Sequence, residues 1–585
     1  MFKKKETLSK ELTERKPLRL WPGVVIVILQ WLIRFVIPVF VPEAIALGVF
    51  GGLLGGLAIF VWWLFFSRAS WPERLGAVVL MIVALVATRH LIDESIRTGF
   101  QGLMFFVYAI PVLSLAFVVW AVATHHLSNG IRRVTMVATI LIACGVWTLL
   151  RSEGITGDAG AQFAWRWAET PEERLLSQAS DRPKVLPAAP VKIEMEADWP
   201  GFRGPDRNSI IRGVRIETDW SASPPIELWR RPIGPGCSSC AVRDALLYTQ
   251  EQRGDDEVVS CYRLTTGEPV WRHHDAARFW DSHAGAGPRA TPTLSDTCVF
   301  TFGATGILNA LDARDGSVIW SRNAAADTDI KTPGWGFASS PLVVDDVVIV
   351  AVAGKLIAYD CASGNPRWVG PDGGKGYSSP HLLTINGVAQ VLLLSEVGAS
   401  SFAPSDGTLL WQHLWQEERI VQPALTANGE LLISSGGTKG MRRIAATHHS
   451  EGWKIEERWT SSELNPSFND FVVHKGYAFG FTGPSLVCID VENGQRKWKG
   501  GRYGGQLLLL ADQDLLLVVS EKGKLVLVRA VPDQFTELAR FPAIAGKTWN
   551  HPVLVNDILL VRNSQEMAVF RLSLVDGSRE LTWRV

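Results

Sequence analysis

The 585 residues carry 58 Lys+Arg against 58 Asp+Glu and are 47% hydrophobic, with 24 Trp but only 7 Tyr. That length exceeds an ordinary domain and predicts several units or one large repetitive one. Zero formal charge excludes a nucleic-acid binder, which needs a basic stripe to displace counterions; the apolar content excludes disorder, and 7 Cys exclude a disulfide scaffold.

Five apolar stretches precede residue 151, at 24–40, 44–66, 75–92, 102–124 and 134–150. Each approaches the ~20 residues a helix needs to cross the hydrocarbon core. The first is the weakest, because it contains Arg34 and Pro38. No small-residue cleavage site follows it, so a cleaved signal peptide fits poorly and a five-span bundle is expected. Lys3, Lys4, Lys5, Lys10, Arg15, Lys16, Arg19, Arg68, Arg74, Arg132 and Arg133 fall on one side of such a bundle, and only Arg89 and Arg97 on the other. Cytoplasmic loops carry the excess of Lys and Arg. The tail is therefore expected in the cytoplasm and everything after Leu150 outside, which means an inner-membrane protein with a periplasmic domain in a two-membrane bacterium. Gly48, Gly52 and Gly56, with Gly51 and Gly55, give the second span two rows on which another helix can approach closely, within the bundle or in a dimer. Arg34 marks either a functional pocket, such as one for a quinone, or a side chain snorkelling to headgroups.

Residues 151–197 read as a linker with short interfacial helices. Trp165 and Trp167 suit a helix over 158–168 at headgroup level, and Thr170-Pro171-Glu172-Glu173 reads as an N-cap, a first-turn Pro and two first-turn acids. Residues 181–190 are Pro-rich and semi-extended. Residues 198–585 form the outer domain.

That domain is periodic. A Gly turn followed by Trp recurs at Gly267/Trp271, Gly316/Trp320, Gly364/Trp368, Gly407/Trp411, Gly494/Trp498 and Gly577/Trp583; Trp229 and Trp459 keep the beat, and Phe541 fills the missing place. The steps run from 39 to 49 residues. Such a period, with four strand-like segments in each unit, predicts propeller blades. In 337–368 the runs Leu342–Val344, Val347–Val352 and 356–359 are separated by tight turns and end at Trp368. The expected fold is a five-span transmembrane helical bundle followed by an all-β propeller of eight blades, with seven as the fallback. Ring closure is expected by pairing the two ends, 226–231 and 581–585.

The unit Leu308-Asn309-Ala310-Leu311-Asp312-Ala313-Arg314-Asp315-Gly316-Ser317-Val318-Ile319-Trp320 resembles the pyrroloquinoline-quinone (PQQ)-like propeller repeat. Trp199-Pro200-Gly201-Phe202-Arg203-Gly204-Pro205 looks like the lead-in of bacterial membrane proteins with such a propeller. Two families share this fold. The resemblance to quinoprotein dehydrogenases, whose membrane-bound glucose-oxidising members carry five spans, implies PQQ, calcium and electron transfer to membrane quinone. The resemblance to the propeller lipoprotein of the outer-membrane barrel-assembly machine implies a scaffold that binds protein.

Resemblance places a ligand funnel where the innermost strands begin, at Arg289, Trp335, Tyr377, Gln422, Asn469, Asp470, Gln506, Trp549, Asn550 and His551. Flat aromatics and a cation suit a planar polyanion, Asn469 and Asp470 suit calcium, and Asp470 is the candidate base for an alcohol. The alternative is a set of polar strand-starts around a water-filled channel. Three features favour a binder of a protein partner or small ligand over an enzyme. Cys237 and Cys240 are two residues apart rather than adjacent, blades of about 44 residues leave little chain for a substrate lid, and no haem attachment site follows Cys240. That Cys pair is open to a disulfide, and zinc would need a second pair. His273-His274 and His448-His449 cannot chelate together, since strand neighbours face opposite ways.

Overall fold

The computed structural model describes residues 19–41, 44–156, 160–178, 198–417, 419–437 and 439–575. The chain divides into two compact units, Met1–Ala168 and Glu169–Val585. The break falls inside the expected linker: the residues up to Ala168 go with the helices, and Pro171–Ser177 goes with the sheets.

In the first unit five helices, Trp21–Phe40, Ile45–Phe66, Trp71–Leu91, Met104–Ala123 and Asn129–Leu149, are long and apolar enough to cross a membrane. The first takes a π-type turn over Leu32–Val36, ahead of Pro38. The glycine rows of the second helix serve packing inside the bundle: a Cβ on Gly52 would lie 3.2 Å from Arg34 Cδ, and one on Gly55 only 2.5 Å from Gln30 Cγ. Arg34 does not snorkel. It is buried, with its guanidinium 4.9 Å from the Tyr108 ring and 5.1 Å from Phe35, whose π faces offset part of the cost of burying a cation.

The interfacial helix expected over 158–168 is instead a hairpin, Leu150–Ile155 paired antiparallel with Ala161–Trp165. Strand alternation lets Phe163 pack 5.2 Å from Tyr108 and 5.5 Å from Trp147, and this tertiary contact overrides the local helical signal. Trp165 stacks on Trp167 at 5.0 Å, and both indoles stay exposed.

The second unit has the helix Pro171–Ser177 with the expected N-cap at Thr170, and Glu173 bonds back to Thr170 to complete a capping box. Its Glu172 accepts from Gly254 N and from Arg278, each at 2.9 Å, which fixes the helix to the first blade.

Eight sheets follow, and in the first six the strands run antiparallel in chain order from the centre outward. Their inner strands are Ala241–Arg243, Thr293–Ser295, Leu342–Val344, His381–Ile385, Ala424–Leu425, Val472–His474, Gln506–Leu510 and Val553–Val555. They define blades 1 to 8. Blade 8 takes its outer strand, Ile226–Pro232, from the far end of the ring, with Trp229 opposite Val569. The closing segment expected at 581–585, and the repeat member Gly577/Trp583, lie outside the described residues. Ile210–Ile211 adds a fifth strand, parallel to the inner strand of blade 7.

The period of the sequence has a geometric cause. Trp229, Trp271, Trp320, Trp368 and Trp459 each lie against the glycine turn of the next blade; a Cβ on Gly267 would meet Trp229 at 2.6 Å, and one on Gly364 would meet Trp320 at 2.6 Å. These turns have φ near +70°, which only glycine adopts without strain. The indole N–H then donates across the seam: Trp229 to Leu264 O, Trp271 to Ala313 O, Trp320 to Cys361 O, Trp368 to Pro404 O, Trp459 to Val491 O and Trp498 to Val531 O. Trp411 bonds within its own blade instead, to Gln390. Phe541 has no N–H to offer.

Candidate functional site at the ring centre

In seven blades a polar side chain stands two residues before the inner strand, at Ser239, Thr291, Ser340, Ser379, Gln422, Asp470 and His551, and in blade 7 Gln506 is the first residue of the inner strand itself. They form a belt. Ser239 N–H donates to Thr291 Oγ1 at 3.1 Å, Thr291 N–H to Ser340 Oγ at 3.0 Å, and Ser340 N–H to Ser379 Oγ at 2.9 Å. Ser379 N–H reaches the Gln422 amide oxygen at 3.1 Å in the amide orientation that satisfies both atoms, and Gln422 N–H donates to Asp470 Oδ1 at 2.7 Å. Beyond Asp470 the seams are closed by other bonds: Asn469 Nδ2 to Gly505 O at 2.7 Å, Gln506 Nε2 to Trp549 O at 3.1 Å, Asn550 Nδ2 to Ser238 O at 2.8 Å and Ser239 Oγ to His551 O at 2.7 Å. A buried N–H left without a partner costs more than a typical bond contributes, so each blade satisfies its neighbour.

One mouth of the channel is closed by the lead-in segment. Trp199 bridges to Val242, Pro200 O accepts from Leu294 N–H at 2.7 Å, Arg207 donates to Ser340 O and Pro341 O at 3.0 and 2.7 Å, and Ser209 O accepts from Leu509 N–H at 2.9 Å. Arg203, in a left-handed conformation, donates to Phe471 O at 2.9 Å and lies 3.6 Å from Asp470. Asp470 also meets His551 Nε2 at 3.2 Å, and Phe202 sets its ring edge-on to His551 at 5.0 Å. Burial alone would raise the Asp470 carboxyl; Arg203, His551 and the Gln422 amide outweigh it and hold it below the ordinary value. Beside this node lies a cavity of about 470 Å³ that His381 and Arg207 help line. Burial, then Arg207 and Arg203, push His381 down to about 3, so its imidazole is neutral; burial, then Arg203, bring Arg207 down to about 9.

The other mouth is aromatic. Trp335 and Tyr377 lie 4.9 Å apart, His283 is 5.9 Å from Trp335, and Phe468 is 4.8 Å from Trp549. Lys547 Nζ sits 4.0 Å over the Trp549 ring and donates to His283 O at 2.6 Å, while Trp549 Nε1 donates to Glu521 at 2.7 Å. Burial pushes the Lys547 amine below its ordinary value. Arg289 pairs with Asp281 at 2.5 Å and donates to the carbonyls of Gly285, Ala286 and Gly287. Near this mouth Glu257 accepts from Ala304 N–H at 3.0 Å, and burial pushes its carboxyl up to about 7.

The candidate residues therefore fall into three groups: Gln422, Asp470 and His551 in one node; Arg289, Trp335, Tyr377 and Trp549 at the aromatic mouth; and Asn469, Gln506 and Asn550 holding seams. Sequence reasoning missed Arg203, Asp281, His283, Glu521 and Lys547. Arg203, His283, Glu521 and Lys547 act through partners distant in the chain, Asp281 through Arg289 eight residues on, and only the belt had a legible signal, a polar residue at a fixed phase.

As placed, these residues do not fit PQQ with calcium. A planar tricarboxylate needs cations facing it, and Arg289 is neutralised by Asp281 with its donors spent on carbonyls. Calcium needs carboxylate oxygens open to it, and those of Asp470 face Gln422 N–H, His551 and Arg203. Among the described residues no group of three or more His, Cys, Asp or Glu is placed to hold a metal ion. Cys237 and Cys240 are free thiols rather than a disulfide, with Cys240 Sγ packed 3.9 Å from Met567 Sδ. His273 and His274 pair separately, with Asp275 and Asp256.

The fold and repeat define an eight-bladed, PQQ-like propeller preceded by five apolar helices. Residues 254–532 match a family profile described as outer membrane protein assembly factor BamB. The protein of that name from Shewanella oneidensis is 35% identical over 109 residues, which cover 18% of this chain and 25% of that protein, so the alignment spans only a quarter of the relative. Among solved structures the chain is similar to BamB from Moraxella catarrhalis, at 15% identity, covering 61% of this chain and 99% of that one with a TM-score of 0.44. It is also similar to the quinohemoprotein alcohol dehydrogenase from Comamonas testosteroni, at 12% identity, covering 67% and 82% with a TM-score of 0.46.

Proposed function

We propose that this chain is a scaffold: its helices hold the propeller on the outer side of a bacterial cytoplasmic membrane, and the ring binds a protein partner without catalysing a reaction. The observation that carries this reading is the commitment of Asp470. A general base needs a lone pair directed at substrate, whereas this carboxylate joins Gln422, His551 and the lead-in's Arg203 inside the ring. The assembly-factor name borne by the matched profile supports a protein-binding role, and the imbalance of basic residues across the helices supports the orientation.

Full-length protein incubated with PQQ and calcium, then desalted and assayed for dye reduction with a panel of alcohols and sugars, is expected to retain no cofactor and reduce no dye. Retention accompanied by dye reduction would replace the scaffold with a dehydrogenase. Photocrosslinking from the propeller surface in cells is expected to trap a discrete protein partner. An alkaline phosphatase fusion after Val585 should be active, and inactivity would reverse the orientation.

A further inference from the structure

The third apolar helix, Trp71–Leu91, ends with Arg89 and His90 in its last turn. After a tight turn, Asp93 caps the short helix Glu94–Gly102 by accepting Ser95 N–H at 3.0 Å. That helix does not end regularly. Phe100 and Gln101 take left-handed φ values of 49° and 56°, and Gly102 follows at 88°. Two consecutive non-glycine residues in this region cost on the order of 1–3 kcal/mol each and persist only where the surroundings impose them. The reversal folds the segment back toward the end of the third helix and leaves a cavity of about 450 Å³ lined by Arg89, His90, Arg97, Thr98, Gln101 and Gly102.

The charges in this cavity are unbalanced. Arg97 has Glu94 at 3.2 Å. Arg89 lies 5.9 Å from the Phe106 ring, and neither it nor His90 faces a carboxylate among the described residues. The Arg89 guanidinium lies beside Gly102, where a Cβ would stand 3.4 Å from Nη2. At the same end of this unit Ser152 N–H donates to Ser95 Oγ at 2.8 Å and Arg166 pairs with Asp93 at 3.5 Å, which joins the hairpin and its exposed Trp165–Trp167 pair to the same level. Indoles gather at headgroup level, and a guanidinium without a carboxylate partner there is placed to donate to the phosphate of a headgroup.

We propose that this cavity binds a phosphate-ester anion, with an anionic phospholipid headgroup as its source. The proposal rests on the reading that these helices cross a membrane, which the phosphatase fusion tests separately. The site is independent of whether the propeller is a scaffold or an enzyme.

Native mass spectrometry of the full-length protein in neutral detergent supplies the test. Phosphatidylglycerol, phosphatidylcholine and inorganic phosphate are titrated in separate arms against the native protein, Arg89→Gln and Gln101→Glu. The second variant puts a negative charge on the exposed lip of the cavity and decides the matter if the first folds poorly. One phosphatidylglycerol is expected to be retained roughly fivefold or more over phosphatidylcholine, and that preference should disappear in both variants. Saturable retention of inorganic phosphate, lost in both variants, would support the site with a free anion as its source. Equal retention of the two lipids without phosphate binding, or anion binding unchanged in both variants, would overturn the proposal.

Discussion

The ring centre and the rim of the helical unit both gather arginines, yet they use them in opposite ways. Arg203 is buried and answered by Asp470, by Ser209 and by backbone carbonyls; Arg89 is open, lies by the Phe106 ring and faces no carboxylate among the described residues. A compensated charge in a dry interior fixes geometry, because removing either partner strands the other. An uncompensated charge beside a cavity is available to something outside the protein. The same contrast separates Asp470, which sequence reading offered as a catalytic base, from the cations that it passed over as loop residues.

If the ring centre is structural, the largest loss should come from its charged node. Asp470→Ala leaves Arg203 buried without a carboxylate and should cost on the order of 3–5 kcal/mol in denaturant unfolding of the propeller. A loss confined to ligand or partner binding, with stability unchanged, would break the comparison. Next in size is a pH effect. Burial holds the Glu257 proton up to about 7, against 4.5 for a free carboxyl. The unfolded chain releases that proton first, so stability should fall from about pH 5 to about pH 7 and then level off, by roughly 3 kcal/mol. Glu257→Gln should flatten that slope, as read from unfolding midpoints across the range. Gly364→Ala forces a side chain into a φ of 70° and against the Trp320 ring, and should cost about 2 kcal/mol by the same unfolding measurement. The smallest effect is expected at the capping box. Thr170→Ala should cost about 1 kcal/mol and appear as faster amide exchange over 171–177, with the blades unaffected.

Much of the fold was legible because its repeat is enforced locally. A tryptophan that must lie on a left-handed glycine turn leaves both residues at fixed spacing, as at Gly316/Trp320 and Gly364/Trp368, and counting them gave eight blades. The N-cap at Thr170 was legible because its signal is local too, though the return bond from Glu173 that makes it a capping box was not read. The hairpin over 150–165 was not legible, since Phe163 chooses a strand for the sake of Tyr108 and Trp147. The lead-in was recognisable as a motif, but nothing in Trp199–Pro205 announces that Arg203 will reach a carboxylate 267 residues later. The candidate site residues were named from the approaches to the inner strands, which the repeat itself locates. Their partners, which decide what Asp470 and Arg289 can do, are non-local and became visible only in three dimensions.

The central claim, that the lead-in and the belt convert the ring centre into structure, is tested most directly by a double-mutant cycle on Arg203→Met and Asp470→Asn, read as unfolding free energies in denaturant. A coupling of about 1.5 kcal/mol or more is predicted, with the double variant less damaged than the sum of the singles. Additive losses with no coupling would show that the two charges do not hold the ring together, and would return Asp470 to the list of groups free to do chemistry.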